Sequence, residues 1–169
     1  MLPNFKTISP FQSFYNKKIK MELNIGQKAP NFSGIDQNGN LISLADFSGK
    51  KLVLYFYPKD NTPGCTTQAC NLRDNYVHLL KKGYAVVGVS CDSEKKHQNF
   101  INKFNLPFPL IADTQQELVN LYGVWKEKSM YGKTFMGIVR TTFVINEEGV
   151  IEEIINKVDT KDHTAQILK

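Results

Sequence analysis

At 169 residues and 19.2 kDa, with 41% hydrophobic and 22% charged residues, the chain can close a core of its own, which excludes a disordered protein and argues for one domain. A mean hydropathy of -0.32, and no run near the roughly 18 apolar residues of a membrane span, exclude an integral membrane role. The net charge of +5 is uneven: Lys6, Lys17, Lys18 and Lys20 put +4 into residues 1–20, and Arg73 and Arg140 are the sole arginines, so nucleic-acid binding loses its support.

Residues 1–20 carry no acid, and Met21 then heads MELNIGQKAP, which reads as a natural beginning. Residues 1–21 are therefore expected to be a disordered extension, with one domain spanning 22–169. Phe32 to Ile35 and Leu41 to Leu44 flank Asp36-Gln37-Asn38-Gly39, the pattern of a β-hairpin. Leu52 to Tyr57 is an unbroken apolar strand stopped by Pro58, so both of its faces are expected to be covered and its place central. Leu72, Tyr76, Leu79 and Leu80 recur at helical spacing, predicting one long helix over 65–82 that ends in Lys-Lys-Gly. Tyr84 to Ser90 is a second buried strand, and Glu94 to Phe104 an amphipathic helix closed before Leu106-Pro107. Such a β-α-β order requires a right-handed crossover and a parallel pair. A short strand over 108–112 and a short helix over 115–122 follow. Val139 to Ile145 and Val150 to Asn156 then surround Asn146-Glu147-Glu148-Gly149 as an antiparallel hairpin, before a last helix from about Lys161. The sum is an α/β domain with a central mixed sheet and helices on both faces.

Three cysteines, Cys65, Cys70 and Cys91, are an odd number in a chain able to build its own core, which points to a reducing compartment rather than a secreted disulfide scaffold. The stretch from Tyr57 to Cys70, YPKDNTPGCTTQAC, joins a buried strand to a helix start. Cys65 falls where unpaired amides and the positive end of the helix dipole converge, a position that favours the nucleophilic thiolate. Thr62 is placed to cap the first turn and to offer its hydroxyl to whatever Cys65 attacks. Pro58 and Pro63 stiffen the loop.

The pattern Pro58-x-x-x-Thr62-x-x-Cys65 resembles the active-site motif of peroxiredoxins. TPGCTTQAC with Leu72-Arg73-Asp74, followed by GVSCDSEKKHQNF, FPLIAD, YGVWKEKSMYGKTFMGIVRTTFVI and VDTKDHTAQIL, is similar to the bacterioferritin comigratory protein, or peroxiredoxin Q, subfamily. The resemblance covers residues 22–169. It implies a thioredoxin fold with an N-terminal β-hairpin, and thiol-dependent reduction of hydrogen peroxide and organic hydroperoxides without metal, haem or flavin. It implies that Cys65 is the peroxidatic cysteine and that Pro58, Thr62 and Arg140, with the amides of Gly64 and Cys65, complete its pocket. It also implies that Cys70 is the resolving cysteine, that thioredoxin or a glutaredoxin-like protein is the reductant, and that the enzyme is a monomer; the reducing compartment expected from the cysteines is the cytoplasm.

Helix geometry constrains the resolving step. Residues five apart on an intact helix have Cα atoms roughly 8.6 Å apart, whereas a disulfide needs less than about 7 Å. The first helical turns must therefore unwind, unless Cys70 is a core filler and an external thiol resolves Cys65. His78, His97 and His163 have no spacing that makes a metal set with the cysteines, and His97 is read as packing. Arg73 is read as support for Arg140 or for its own helix, Tyr122 and Trp125 as core or pocket wall, and Cys91 as an inert thiol. A redox relay, passing oxidation to a partner protein, is the alternative function; a redox-inert scaffold fits poorly with the full Pro, Thr, Cys and Arg set.

Overall fold

The structure is a computed structural model and describes residues 22–169; the expected extension over 1–21 lies outside them. The hairpin is β1 (Ser33–Ile35) and β2 (Leu41–Ser43), followed by a 3-10 turn at Leu44–Phe47. Then come β3 (Lys51–Phe56), α1 (Pro63–Asp74), α2 (Tyr76–Lys81), β4 (Tyr84–Ser90), α3 (Glu94–Phe104), β5 (Leu110–Ala112) and α4 (Glu117–Leu121). The chain finishes with β6 (Trp125–Met130), β7 (Lys133–Ile138), β8 (Thr141–Ile145), β9 (Ile151–Ile155) and α5 (His163–Ile167).

The main sheet has the order β5-β4-β3-β8-β9. β3 is central, parallel to β4 and antiparallel to β8, so the sheet is mixed. Its residues alternate between two cores, as a period of two requires. Leu52, Leu54 and Phe56 face the hairpin and α4, whereas Val53, Tyr55 and Tyr57 face α1, α2, α3 and α5. The buried residues of α1, Cys65, Gln68, Ala69 and Leu72, follow the i, i+3, i+4, i+7 stripe of a helix laid on a sheet. Among the described residues no helix is long and apolar enough to cross a membrane.

The expected long helix is two. Asn75 interrupts it with φ -107° and ψ 9°, and its side-chain amide shares the Asn71 carbonyl, at 2.8 Å, with its own backbone N–H at 3.2 Å. The helix also starts earlier than expected, at Pro63, whose missing N–H costs nothing in a first turn. The last helix begins at His163 rather than near Lys161, and the third strand of the parallel set at Leu110 rather than Phe108.

The β6-β7 ribbon was not expected. Tyr131 and Gly132 turn it, both at positive φ (50° and 75°), as a two-residue I′ loop demands. Its strands are exposed over most of their length, with Ile138 buried and Trp125 half-buried at the base, so they show no alternation of apolar and polar residues that a sequence reading could detect.

Candidate active site

β3 delivers the chain to Pro58, and α1 begins at Pro63, so residues 59–62 form a tight connection at the end of the central strand. Asn61 holds a left-handed conformation there (φ 57°). Thr62 is the N-cap residue by position, extended at φ -98° and ψ 155°, but its side chain does not cap. The hydroxyl instead donates to the Lys59 carbonyl at 2.8 Å. That corrects the expected cap and has a chemical consequence. A carbonyl only accepts, so the Thr62 hydrogen is used on Lys59 and Oγ1 offers lone pairs to anything beside it.

Cys65 is the third residue of α1 and 2% exposed. The amides of Gly64 and Cys65 lie in the first turn, where helical geometry supplies no acceptor. Arg140 arrives from the junction between β7 and β8, 75 residues away, and its Nη2 donates to Cys65 Sγ at 3.3 Å. Its Nη1 donates to Gln68 Oε1 at 2.7 Å. The guanidinium is thus held by two of its fork nitrogens, one on the sulfur and one on the next residue along the same helical face. Gln68 was missed by sequence reasoning; its place three residues after Cys65 was the available signal. It is fully buried, and its Nε2 and the buried Tyr55 hydroxyl find no hydrogen-bond partner among the described residues.

Gly64 lets this contact form. A Cβ there would meet Arg140 Nη2 at 3.2 Å, closer than ordinary contact. Gly64→Ala is expected to leave the melting temperature unchanged or higher, since alanine gains up to about 1 kcal/mol over glycine in a helix. Peroxide turnover should nonetheless fall several-fold as the fork is pushed from the sulfur, and a variant with unchanged turnover would show that the fork can be displaced freely.

Cys70 is half-buried on the same unbroken helix as Cys65, and both are free thiols. Cys91 packs partly buried against the other core, and burial, assisted by Asp113 and Asp92, pushes its thiol up to about 12. It belongs to the core opposite the one that contains Cys65. Arg73 does not support Arg140: it pairs with Asp74 and donates to the Phe104 carbonyl at 2.7 Å, tying α1 to the end of α3. Tyr122 is core on the far face, with its hydroxyl donating to the Pro30 carbonyl. His163 bonds Thr142 and Gln166, and burial holds its imidazole below the ordinary range.

His97 is more than packing. It is fully buried and paired with Asp60 at 2.6 Å. Asp60, Asp92 and His97 bring possible ligand atoms within 4.8 Å of one another, but both ring nitrogens of His97 already have protein partners. A cavity of about 810 Å³ is lined by residues such as Leu23, Tyr122 and Phe143 and by neither Cys65 nor Arg140. The Arg140–Cys65 contact, not volume, marks the site.

A family model described as the AhpC/TSA family matches residues 25–154. The putative peroxiredoxin bcp of Coxiella burnetii is 48% identical over 148 residues, spanning 88% of this chain and 98% of that protein. Peroxiredoxin Bcp of Bacillus subtilis is 46% identical over 149 residues, spanning 88% and 95%. Among solved structures, a PrxQ cysteine-to-serine mutant from Xylella fastidiosa superposes with a TM-score of 0.82 at 34% identity, over 88% of this chain and 94% of that one. The Xanthomonas campestris bacterioferritin comigratory protein, studied for alkyl peroxide reduction, superposes at 0.76 with 38% identity, over 81% and 87%.

Proposed function

Because the chain belongs to the AhpC/TSA family and is a peroxiredoxin of the Bcp and PrxQ kind, a thiol-dependent peroxidase, we propose that Cys65 is its peroxidatic cysteine and that Pro58, Thr62 and Arg140 build the pocket around it. The observation that carries this reading is the Arg140 guanidinium against Cys65 Sγ at 3.3 Å, on a helix first turn. A guanidinium donating to a sulfur at a helix first turn is the kind of setting in which a cysteine acts as nucleophile.

The thiolate attacks one oxygen of the hydroperoxide: an S–O bond forms, the O–O bond breaks, and the electron pair leaves on the distal oxygen, which takes a proton to depart as water or an alcohol. Sulfur is oxidised by two electrons to a sulfenic acid. Negative charge moves from sulfur to the departing oxygen, so donors that span both stabilise the transition state more than the ground state. Arg140 and the Gly64 and Cys65 amides supply them. Thr62 orients the substrate by accepting the hydrogen bond of its O–H, since the hydroxyl hydrogen is held by Lys59.

Cys70 then attacks the Cys65 sulfenic sulfur, forming the S–S bond and expelling water. Both cysteines lie within α1, roughly 8.6 Å apart between Cα atoms by helix geometry, so the first turns must open to reach disulfide distance. A thiol reductant, for which thioredoxin or a glutaredoxin-like protein is the proposed class, restores both thiols by exchange. A monomer in a reducing, cytoplasmic setting is the proposed working state, with Cys65, Cys70 and Cys91 all free thiols. A relay to partner proteins has less support, because Cys70, five residues along the same helix, competes with any partner thiol for the sulfenic sulfur.

One equivalent of peroxide tests the resolving step. Peptide mapping of the wild type should recover a Cys65–Cys70 disulfide, with faster amide exchange across the start of α1. Cys70→Ser should stall after one turnover with thioredoxin as reductant. Full thioredoxin-dependent turnover by that variant, or unchanged exchange in the oxidised protein, would remove Cys70 from the cycle.

A further inference from the structure

The short connection between Pro58 and Thr62 is anchored by buried polar groups that the peroxidase chemistry does not use. Asp60 stands at its middle and is 8% exposed. Its Oδ1 accepts from the Tyr57 hydroxyl at 2.6 Å, and its Oδ2 faces His97 Nδ1 at 2.6 Å. Its amide donates to Asp92 Oδ2 at 2.8 Å, an oxygen that also accepts from the Ser90 hydroxyl. His97 Nε2 lies 2.9 Å from the Ile111 carbonyl.

Hydrogen bookkeeping fixes how this works. A carbonyl only accepts, so Nε2 carries a hydrogen, and Nδ1 opposite a carboxyl oxygen then needs a second proton on the shared axis. The pair is therefore a proton-bridged clamp from α3 to the loop. Buried charged pairs usually add less stability than apolar packing of the same volume, so their value lies in fixing one geometry. The loop needs fixing: Asn61, between Asp60 and Thr62, is held in the left-handed region.

We propose that Asp60 and His97 are positioning residues, which hold the Lys59–Thr62 turn so that the Thr62 lone pairs meet the peroxide beside Cys65. Tyr57 shares the task through its hydroxyl. The inference rests on the reading of Cys65 and Thr62 given above, and its failure can be told from the failure of that reading.

The test is a double-mutant cycle on His97→Gln and Thr62→Val, reading kcat/KM for hydrogen peroxide and, separately, the rate of Cys65 alkylation by iodoacetamide. His97→Gln should lower kcat/KM roughly ten- to a hundredfold, the scale of a misplaced orienting group. Alkylation, which needs the thiolate but not Thr62, should stay within about twofold. The double variant should be no slower than Thr62→Val alone, because one group acts through the other. Tyr57→Phe removes a single oxygen, and it carries the same cycle should His97→Gln lose its native circular dichroism. Penalties that multiply in the double variant, an equal fall in alkylation, or unchanged kcat/KM in the single variants would overturn the inference. A fully active Cys65→Ser would instead overturn the assignment of the peroxidatic residue.

Discussion

Cys65→Ser is expected to lose peroxidase activity by roughly 10⁴-fold or more, the scale seen when a covalent nucleophile is removed from an enzyme. The cause is chemical rather than structural. Serine is close to cysteine in size, and Arg140 Nη2, now 3.3 Å from Sγ, can donate to a hydroxyl oxygen in its place. The helix, its cap position and the apolar neighbours of residue 65 are unaffected, so the melting temperature should move little. What disappears is a polarisable sulfur that a peroxide can oxidise; an alcohol in the same pocket has no sulfenic oxidation state. Peroxide loss coupled to a thiol reductant measures the rate, and thermal unfolding checks the fold.

Arg140→Met should be the next most damaging change. Methionine keeps much of the aliphatic stem but deletes the guanidinium that faces both Cys65 Sγ and Gln68 Oε1. Loss of one preorganised donor at developing charge typically costs about 10²–10³-fold in rate, and kcat/KM should fall by that much. Stability should fall as well, because the fully buried Gln68 carbonyl oxygen loses its partner, at a cost of about 1–3 kcal/mol. Arg140→Lys separates the two contributions. A lysine restores the charge but not the fork, so it can serve the sulfur or Gln68 and not both. Its kcat/KM should lie between wild type and Arg140→Met. Equal activity for lysine and arginine would show that charge alone matters and that the bidentate geometry does not.

What the sequence made legible is what local physics dictates. The unbroken apolarity of residues 52–57 reports a strand buried on both faces, and β3 is indeed central. The amphipathic stretch from Glu94 to Phe104 coincides with α3, whose C-cap Asn105 takes the left-handed conformation (φ 51°) that asparagine tolerates. Thr62 and Cys65 were readable because a strand, a proline-bounded loop and a helix start are contiguous. The break at Asn75 was not, since it falls inside an otherwise good helical pattern with no proline or glycine to mark it. The β6-β7 ribbon hides because only its base, at Trp125 and Ile138, is covered. The partners of the reactive sulfur are harder still. Arg140 and Gln68 are 72 residues apart, and Asp60 and His97 are 37 apart, so only the folded sheet brings them together. The resemblance pointed to Arg140; nothing in the local pattern distinguished His97 from a packed core histidine.

Peroxidase chemistry at α1 requires that the Cys65 sulfur meet the peroxide first. Reduced Cys70→Ser protein, mixed with one equivalent of hydrogen peroxide in the presence of dimedone and mapped by tandem mass spectrometry, answers this directly. The adduct is predicted on Cys65 alone, with Cys91 unmodified. An adduct on Cys91, or complete peroxide consumption with Cys65 left as a free thiol, would contradict the assignment.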